Sequence, residues 1–472
     1  MNEQLTENNE KQLYYCGLLS GIVRERAAVS GRGLTYHVET FGCQMNERDS
    51  EKLRGVLDLC GLKMTDSEEA DLVIYNTCTV RENANIRVFG RLGYLHSLKK
   101  KNPEMIIGLC GCMMQDPKVV EKIQKDYKFV DLIFGTHNIY RLAELLYRRL
   151  SEGNAVSEIL DAPDIFPEGL PVQRTYPFKS GVNIMYGCDN FCSYCIVPYV
   201  RGRERSRTAA DIISEVTNLA LDGVKEVMLL GQNVNSYGRK EEGFPDFADL
   251  LKMTAKVDGI ERIRFMTSHP KDLSDLLIET IATEEKVCKH IHLPLQSGSS
   301  RILKAMNRRY DSETYFELTQ KIRRAVPQIS ITTDIIVGFP GETEEDFQET
   351  LNMVKRVRFD SAFTFIYSKR NGTPAAAMED QVPEEVVKDR FDRLLASVQE
   401  IARNECARFT GSVGKVLVES VNRQDETLVT GRLDNNMVVH FPGTADMIGN
   451  ICEVELTACR GFYFYGKRIE RR

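Results

Sequence analysis

The spacing of hydrophobic and polar residues divides the chain into three patterned regions and two irregular ones. Apolar runs alternate with amphipathic segments of helical period in the first two patterned regions, whereas the last has a period of two. Residues 1–32 are polar without a clear period, and residues 151–173 carry several prolines. We therefore predict a poorly ordered extension (1–32), an α/β domain (33–150), a linker (151–173), a second α/β domain (174–406) and a small β-domain (407–472).

The first α/β domain is predicted to contain four strands, each followed by a helix. The strands are Leu34–Phe41, Leu72–Tyr75, Met105–Leu109 and Leu132–Phe134. The helices are Asn46–Leu59, a segment ending near Leu98, Asp116–Tyr127 and Ile139–Leu150. Strict alternation of this kind predicts an open, doubly wound parallel sheet.

Three cysteines of this domain follow strands at equivalent places. Cys43, Cys78 and Cys112 each lie just past the carboxyl end of a predicted strand, where ligands bind in open parallel sheets. We expect these three thiols to converge and form a cluster site. Cys110 lies within a strand, so we expect it to face the core. The remaining cysteines outside the two triplets are interpreted as small buried hydrophobic residues: Cys16, Cys60, Cys288, Cys406, Cys452 and Cys459.

The second α/β domain repeats a strand–helix unit six times. Its predicted strands are Val182–Tyr186, Val224–Leu230, Arg262–Met266, His290–Leu293, Ser330–Val337 and Ser361–Tyr367. Six units are too few for a closed eight-stranded barrel. The pattern therefore predicts a partial (β/α)6 barrel that is open on one side and binds its substrate at the carboxyl ends of the strands.

A second cysteine triplet opens this domain, at the end of its first strand. Cys188, Cys192 and Cys195 have the spacing C-x3-C-x2-C. A closed zinc site needs a fourth ligand, and none follows; a disulfide is disfavoured by the odd count of 13 cysteines and the lack of an apolar signal peptide. The triplet instead predicts a 4Fe-4S cluster with one iron left open.

This triplet, with Tyr194 before its last cysteine, resembles that of the radical S-adenosylmethionine (SAM) superfamily. The resemblance implies that the open iron holds the amino and carboxyl groups of SAM, which an injected electron cleaves to a 5′-deoxyadenosyl radical. Candidate SAM contacts are Tyr194 and residues in or near the barrel loops: Gly231, Gln232, Ser268, Gln296, Ser297, Asp334, Gly338 and Tyr367. Residues of these types are also common in ordinary turns between strands and helices, so two interpretations, SAM contact and turn residue, stay open.

Further polar residues near the triplet have two interpretations. His269 and His292 are candidates for general bases or for structural histidines. The segment 198–207 has four arginines against one glutamate, Arg201, Arg203, Arg205 and Arg207 against Glu204. Such a run is either a solvated surface or a site for phosphate or the SAM carboxylate, with Tyr199 stacking on a base.

The last region is predicted to form five short strands between Lys415 and Tyr465, which suggests a small OB-like barrel. Aromatic residues 462–465 lie beside Lys467, Arg468, Arg471 and Arg472. This combination suits base stacking with phosphate contact, although a stabilising domain that binds nothing is the alternative.

Composition narrows the class of protein further. The chain has 472 residues, of which 42% are hydrophobic and 28% charged, so we expect an ordinary multidomain globular protein. No apolar run approaches the length of a membrane span, and we expect a cytoplasmic protein. A net charge of −6 argues against wholesale coating of nucleic acid but permits a local basic surface.

Together the three regions resemble the methylthiotransferases, a radical SAM family. The resemblance covers residue 33 to the C-terminus and rests on Phe-Gly-Cys43-Gln-Met-Asn, Asn-Thr-Cys78, Gly-Cys112, the second triplet and Leu293-Pro-Leu-Gln-Ser-Gly-Ser299. Its finer motifs, among them Thr267-Ser-His-Pro270, are similar to the branch that modifies isopentenyladenosine beside the tRNA anticodon. The C-terminal domain is similar to the TRAM domain, which implies tRNA binding.

The resemblance implies two 4Fe-4S clusters, an auxiliary one on Cys43, Cys78 and Cys112 and a radical SAM one on Cys188, Cys192 and Cys195. One SAM would supply the methyl group, and a second the radical that removes hydrogen from adenine C2. It further implies an electron donor such as flavodoxin or ferredoxin, iron–sulfur assembly proteins, no membrane, and a monomer.

Two other hypotheses compete. Within the family, the substrate could be threonylcarbamoyladenosine in tRNA or a ribosomal-protein aspartate. From another class, the chain could be a noncatalytic iron–sulfur protein that binds RNA or senses redox state. Formation of 5′-deoxyadenosine that depends on a reductant separates the enzyme from the sensor.

Overall fold

The computed structural model describes residues 3–79, 82–161 and 168–469. The chain forms two compact units, and each is made of several stretches of sequence. The first comprises Met1–Thr175, Tyr186–Asp189 and Ile196–Arg207, and the second Tyr176–Met185, Asn190–Cys195 and Thr208–Arg472. None of the helices in the described ranges has the length and apolar character required to span a membrane.

The first unit alternates helices and strands from its start. Its elements are α1 (Glu3–Ser30), β1 (Thr35–Phe41), α2 (Gln44–Leu59), β2 (Lys63–Met64), β3 (Leu72–Thr77), α3 (Glu82–Lys101), β4 (Ile106–Gly111), α4 (Pro117–Asp126), β5 (Leu132–Gly135), α5 (Leu142–Glu152) and β6 (Val156–Glu158). The Asp116 side chain caps α4 by accepting from the Lys118 N–H, and Pro117 occupies the first helical position, where it needs no donor.

The six strands form one parallel sheet in the order β2-β1-β3-β4-β5-β6. This confirms the predicted doubly wound sheet. Separate cores cover its two faces: Leu53 and Leu142 belong to one, and Leu92 and Ile123 to the other. Strands buried on both faces explain why β3 and β4 are apolar along almost their whole length.

The prediction that residues 1–32 are poorly ordered is wrong. Residues Glu3–Ser30 form α1, and Cys16, Leu19 and Val23 are buried in the core beside α2 and α5. These positions lie on one helical face, at intervals of three and four residues. Apolar residues also occupy exposed positions of α1, namely Leu13, Tyr14 and Val29, which explains why its period is weak in the sequence.

The predicted linker also needs correction at both of its ends. Residues Val156–Glu158 pair with β5 as the edge strand of the sheet. The Gln173 N–H donates to the Glu51 carbonyl of α2 over 3.0 Å. Residues 162–167, in the middle of the predicted linker, lie outside the described residues.

The helix α1 gives a testable result. Replacing Leu19, which is fully buried, with alanine should lower the free energy of unfolding by about 2–5 kcal/mol, because it leaves a cavity under the helix. Val29→Ala is the control, since Val29 is 91% exposed in the same helix. Equal denaturation midpoints for the two variants would show that α1 contributes no packing to the unit.

The elements that follow in the chain alternate again. They are β7 (Lys179–Asn183), β8 (Met185–Tyr186), α6 (Val197–Val200), β9 (Arg205–Ser206), α7 (Ala209–Leu221), β10 (Glu226–Leu230), α8 (Phe247–Ala255), β11 (Arg262–Phe265), α9 (Asp275–Thr283), β12 (His290–His292), α10 (Ser300–Ala305), α11 (Ser312–Ala325), β13 (Ser330–Val337), α12 (Glu344–Val357), β14 (Ser361–Ile366) and α13 (Glu384–Ala407). Thr343 caps α12 in a reciprocal capping box with Asp346.

Six parallel strands of the second unit form the predicted partial barrel. One sheet has the order β7-β10-β11 and the other the order β12-β13-β14. An isolated parallel bridge between Ile263 and Val287 links the two halves. The outward residues of the strands, such as Ile331 and Ile335, pack in the large core with the helices.

The C-terminal strands close into the predicted small barrel, in the order β15-β16-β17-β19-β18. They are β15 (Val413–Val421), β16 (Leu428–Leu433), β17 (Val438–Pro442), β18 (Ile451–Cys459) and β19 (Tyr463–Arg468). Arg264 of β11 is buried, pairs with Glu226 at 2.9 Å, and donates to the carbonyls of Leu433 and Asp434. Because Glu226 begins β10, the small barrel packs near the amino ends of the strands, away from the loops that follow them.

Candidate functional site

Three cysteines lie at the carboxyl ends of three neighbouring strands of the first unit. Cys43 precedes α2 after β1, Cys78 directly follows β3, and Cys112 directly follows β4. The order β2-β1-β3 places the topological switch point of the sheet between β1 and β3, where open α/β sheets bind ligands. Cys43 and Cys78 flank that point, and Cys112 is on the next strand.

The register of the strands brings these cysteines to one level. Phe41 at the end of β1 pairs with Thr77, and Thr77 pairs with Gly111. Neighbouring strands are about 4.8 Å apart, so residues one or two positions beyond this level share one crevice. Gly111 has φ of +95°, and a Cβ there would lie 2.4 Å from the Thr77 carbonyl oxygen. Only glycine lets the chain turn toward Cys112 at this place.

This turn can be tested by mutation. Gly111→Ala should cost about 1–3 kcal/mol of stability and lower the iron retained at this triplet, because the added methyl group meets backbone. Gly108→Ala in the same strand is the control, since a Cβ there meets its nearest atom at an ordinary 3.4 Å. Iron content per chain and the denaturation midpoint measure both effects. Unchanged iron content in Gly111→Ala would contradict the assigned turn.

Cys110 is separated from the triplet, as the sequence predicts. It pairs with Asn76 and Phe134 inside the sheet and lies in the core on the α2 and α5 side. Burial raises the pKa of its thiol well above the usual range. Cys110 is therefore kept away from the crevice, and Cys112 stays the predicted third member of the group with Cys43 and Cys78.

The Cys112 thiol interacts electrostatically with the groups around it. Its pKa is raised to about 12, mainly by burial and also by the neighbouring Cys78 and Cys43, whereas the nearby Arg201 guanidinium opposes the rise. Thiols bind metal as thiolates, so a loaded site carries concentrated negative charge.

The donor set fits a cubane cluster. Within residues 3–79, 82–161 and 168–469, no three His, Cys, Asp or Glu side chains surround one point as the ligands of a single ion do. A cubane requires a different arrangement, because each thiolate binds a different iron atom. Three convergent thiols with no fourth protein ligand would leave one iron open.

The arginines of segment 198–207 are mostly engaged by the protein itself. Arg201 Nε donates to Cys112 Sγ over 3.0 Å. Arg203 pairs with Asp189 at 2.7 Å, and Arg207 is buried and pairs with Glu168. The structure therefore gives three of the four predicted phosphate or SAM-carboxylate ligands other partners. Tyr199 is half-exposed, as a stacking residue would be.

The second triplet lies on a tightly held segment. Cys188 follows Gly187, which has φ of +76° and at which a Cβ would lie 2.0 Å from the Arg203 carbonyl oxygen, and the Cys188 N–H donates to the Gly202 carbonyl. Cys188 belongs to the first unit, and Cys192 and Cys195 to the second. The chain spacing keeps all three within eight residues.

Within the second unit, residues 190–195 are fixed by α10 and the turn after it. Ser193 donates through its N–H to the Met306 carbonyl and through Oγ to the Ala305 carbonyl. Asn307 donates to the Phe191 carbonyl over 2.9 Å. Phe191 has φ of +45°, a strained conformation in a non-glycine residue and one that these bonds maintain.

A buried arginine that the sequence pattern missed lies beside this triplet. Arg308 donates to Cys192 Sγ over 3.3 Å and to the Pro294 carbonyl over 3.1 Å. Tyr194 is partly buried, and its pKa is raised well above the usual range by burial, with Arg308 opposing the shift. No local pattern identifies Arg308, because its partner is 116 residues away.

The predicted SAM contacts of the barrel cluster at the loop end. The structure places Gly231 and Gln232 after β10, Ser268 after β11, Gln296 and Ser297 after β12, Asp334 in β13, Gly338 after β13 and Tyr367 after β14. Ser268 Oγ and Tyr367 Oη are buried and find no hydrogen-bond partner among the described atoms. Unpaired buried hydroxyls are costly, so a polar ligand is expected to satisfy them. These contacts stay predictions.

Two of the predicted SAM contacts have structural roles within the protein itself. Ser297 is fully buried, and its Oγ accepts from the Ser299 N–H at the start of α10. Gly338 has φ of +75° and donates to Glu342, while Val387 fills the space where its Cβ would be. Gln296, in contrast, has φ of +72°, a strained conformation at the loop end.

The two histidines differ in their surroundings. His269 Nδ1 accepts from the Lys271 N–H, and burial with nearby cations lowers its pKa to about 2. For His269, the structure therefore favours the second interpretation, a neutral structural histidine. His292 lies 3.4 Å from Asp334 and 3.0 Å from the Thr332 hydroxyl.

Comparison with known families divides the chain in the same order as the fold. The Radical SAM superfamily model matches residues 182–354, the model described as uncharacterized protein family UPF0004 matches residues 35–135, and the TRAM domain model matches residues 407–469. These ranges contain the barrel strands from Val182 to the end of β13, strands β1 to β5 of the first sheet, and all five strands of the small barrel.

Similar proteins share nearly the whole chain. A relative from Lachnoclostridium phytofermentans is 59% identical over 95% of this chain and 98% of its own, and one from Alkaliphilus oremlandii is 54% identical over 93% and 94%. Both are named tRNA-2-methylthio-N(6)-dimethylallyladenosine synthase. A solved radical S-adenosylmethionine methyltransferase from Kitasatospora setae has a TM-score of 0.51 at 14% identity, covering 72% of this chain and 77% of its own. That likeness shows the fold alone.

Proposed function

This chain belongs to the family of tRNA-2-methylthio-N(6)-dimethylallyladenosine synthases, and we propose that it adds a methylthio group to C2 of N6-isopentenyladenosine beside the tRNA anticodon. It is an enzyme of the radical SAM superfamily. The observation that carries the proposal is the presence of two cysteine triplets, one at the switch point of the sheet and one in the C-x3-C-x2-C segment, on a chain 59% identical to such a synthase.

The auxiliary 4Fe-4S cluster is assigned to Cys43, Cys78 and Cys112. The strand register, the shared burial and the cation beside Cys112 support this assignment. Three thiolates would hold three irons of a cubane, and the fourth iron would stay free to bind an exchangeable sulfur ligand.

The radical SAM cluster is assigned to Cys188, Cys192 and Cys195. When bound, this cluster and SAM supply reductive cleavage to a 5′-deoxyadenosyl radical, and a further SAM supplies the methyl group. The chain contributes a fixed turn, in which the Cys195 N–H donates to the Cys192 carbonyl, and a neighbouring cation, Arg308. Ser268 and Tyr367, whose buried hydroxyls have no hydrogen-bond partner among the described atoms, would help to orient SAM.

Aromatic residues on the last barrel strand form a suitable surface for the substrate base. Phe363 and Phe365 are 52% and 40% exposed, which is unusual in a parallel strand. Phe363 pairs with Asp334 across the sheet and lies 5.9 Å from the His292 ring. An isopentenyl group and an adenine ring would both bury apolar area on this face.

This surface predicts a specific kinetic effect. Phe363→Ala should lower kcat/KM for isopentenylated tRNA by about tenfold, since lost apolar contact costs roughly 1–3 kcal/mol. SAM cleavage without tRNA should be unaffected. Leu221→Ala, at an 81% exposed position of α7, is the control. If Phe363→Ala kept the wild-type kcat/KM, this face would not be part of the substrate site.

The small C-terminal barrel is the proposed tRNA contact. Phe462 and Tyr465 are exposed, Tyr463 and His440 form an edge-to-face pair beside them, and Lys467 is exposed on the same strand as Tyr465. Aromatic faces with nearby cations suit stacking plus phosphate contact. An electron donor such as flavodoxin or ferredoxin is also expected, because SAM cleavage consumes an electron.

The substrate assignment is tested with three alternatives in parallel. The full chain is reconstituted anaerobically with iron and sulfide and given SAM and dithionite with isopentenylated tRNA, threonylcarbamoylated tRNA or the ribosomal protein. Digested products are analysed by mass spectrometry. A methylthio product from isopentenylated tRNA alone is expected. A product from either other substrate would overturn the assignment within the family, and absence of 5′-deoxyadenosine in all three would support a noncatalytic role.

A further inference from the structure

Arg201 occupies an unusual position for an arginine. It follows α6, six residues after the last cysteine of the second triplet, yet its side chain lies at the first triplet. It is only 4% exposed, its Nε donates to Cys112 Sγ over 3.0 Å, and its Nη2 is 3.5 Å from Asp49 Oδ2. All three residues belong to the first unit.

The positive charge of Arg201 is incompletely balanced by the residues described around it. The guanidinium stays charged even when buried, so it requires anions close by. Among the described residues, Asp49 is its one ion-pair partner, at 3.5 Å, and Arg201 Nη2 makes no hydrogen bond there. A neutral thiol is a weak acceptor, whereas a cluster thiolate is an anion that accepts strongly. The arrangement is suited to a negatively charged group at the triplet.

The second triplet offers an independent comparison. There, too, one buried arginine donates to one cysteine sulfur, Arg308 to Cys192 over 3.3 Å. Each triplet thus has a fixed cation in contact with one of its sulfurs. Two other arginines of the same run, the exposed Arg203 and the buried Arg207, pair with the carboxylates of Asp189 and Glu168 instead.

Building on the auxiliary cluster assigned above, we propose that Arg201 is a positioning residue whose charge and hydrogen bond to Cys112 set the reduction potential of that cluster. A nearby positive charge stabilises the more negative, reduced cluster, and hydrogen bonds to sulfur act in the same direction. Removing the charge therefore makes the cluster harder to reduce.

The test isolates one cluster in the full-length chain. Cys188, Cys192 and Cys195 are replaced with alanine, so that iron binds only at the first triplet. Arg201→Gln, Arg201→Lys and Arg203→Gln are then made in this background. Each protein is titrated with dithionite and mediators, and the one-electron reduction is followed by electron paramagnetic resonance.

The expected result separates charge from structure. Arg201→Gln should lower the reduction equilibrium constant by about tenfold, which is about 59 mV for a one-electron couple. Arg201→Lys, which keeps the charge, should shift it by less, and Arg203→Gln should leave it unchanged.

Three outcomes overturn the proposal. Equal potentials for wild-type Arg201 and Arg201→Gln would show that the cation does not act on the cluster. Equal shifts, or equal cluster loss, in the Gln and Lys variants would assign the effect to packing. If the background protein binds no cluster at all, the assignment of Cys43, Cys78 and Cys112 fails and this inference fails with it, which distinguishes the two failures.

Discussion

A Cys192→Ala protein is expected to form no detectable 5′-deoxyadenosine from SAM and no methylthiolated tRNA. Cys192 is 7% exposed and lies in a segment fixed by Ser193 and Asn307, so no other thiol can take its place. A cluster with two protein ligands is held weakly, and the open iron that binds SAM loses its defined position.

The measurement is anaerobic SAM cleavage with dithionite, followed by chromatography of the nucleosides. Iron should fall to roughly half of the wild-type content, since the auxiliary cluster stays bound. Cys452→Ala in the small barrel controls for the loss of a thiol elsewhere. Cleavage at a wild-type rate by Cys192→Ala would mean that this triplet does not carry the SAM-binding cluster.

Replacing Cys78 with alanine should have the complementary effect. The protein should still cleave SAM to 5′-deoxyadenosine but should transfer no methylthio group. Cys78 follows the middle one of the three strands and is 1% exposed, so its removal opens the auxiliary site while the C-x3-C-x2-C segment keeps all of its ligands.

Cys110→Ala is the matched control for this variant. Cys110 is also buried in a strand of the same sheet, but it lies in the core and not in the crevice. Its product yield should match that of the unmodified chain. Methylthiolation by Cys78→Ala would contradict the assigned auxiliary site. If Cys110→Ala lost methylthiolation, Cys110 and not Cys112 would be the third ligand.

Hydrophobic periodicity predicts the main elements of this fold because it reports burial directly. The strand from Ser330 to Val337 begins and ends where the pattern places it, and the helix predicted to end at Leu59 ends there. The two edge strands β2 and β6 are different. They have two and three residues, and strands this short carry no readable period.

The cysteine triplets could be predicted because their positions depend on strand order and local spacing. The partners of the buried arginines could not. Arg201 lies in a run of charge that is typical of a solvated surface, and its sulfur partner is 89 residues away. Which charged residue is buried depends on tertiary contacts that no short window of sequence contains.

The central claim is that one chain removes the hydrogen from adenine C2 and installs a methylthio group there. The most direct measurement uses isopentenylated tRNA with deuterium at that C2, incubated anaerobically with the reconstituted chain, SAM and dithionite. The account predicts 2-methylthio product together with 5′-deoxyadenosine that carries one deuterium, in matching amounts. Deuterium retained in the tRNA, while unlabelled 5′-deoxyadenosine accumulates, would contradict it.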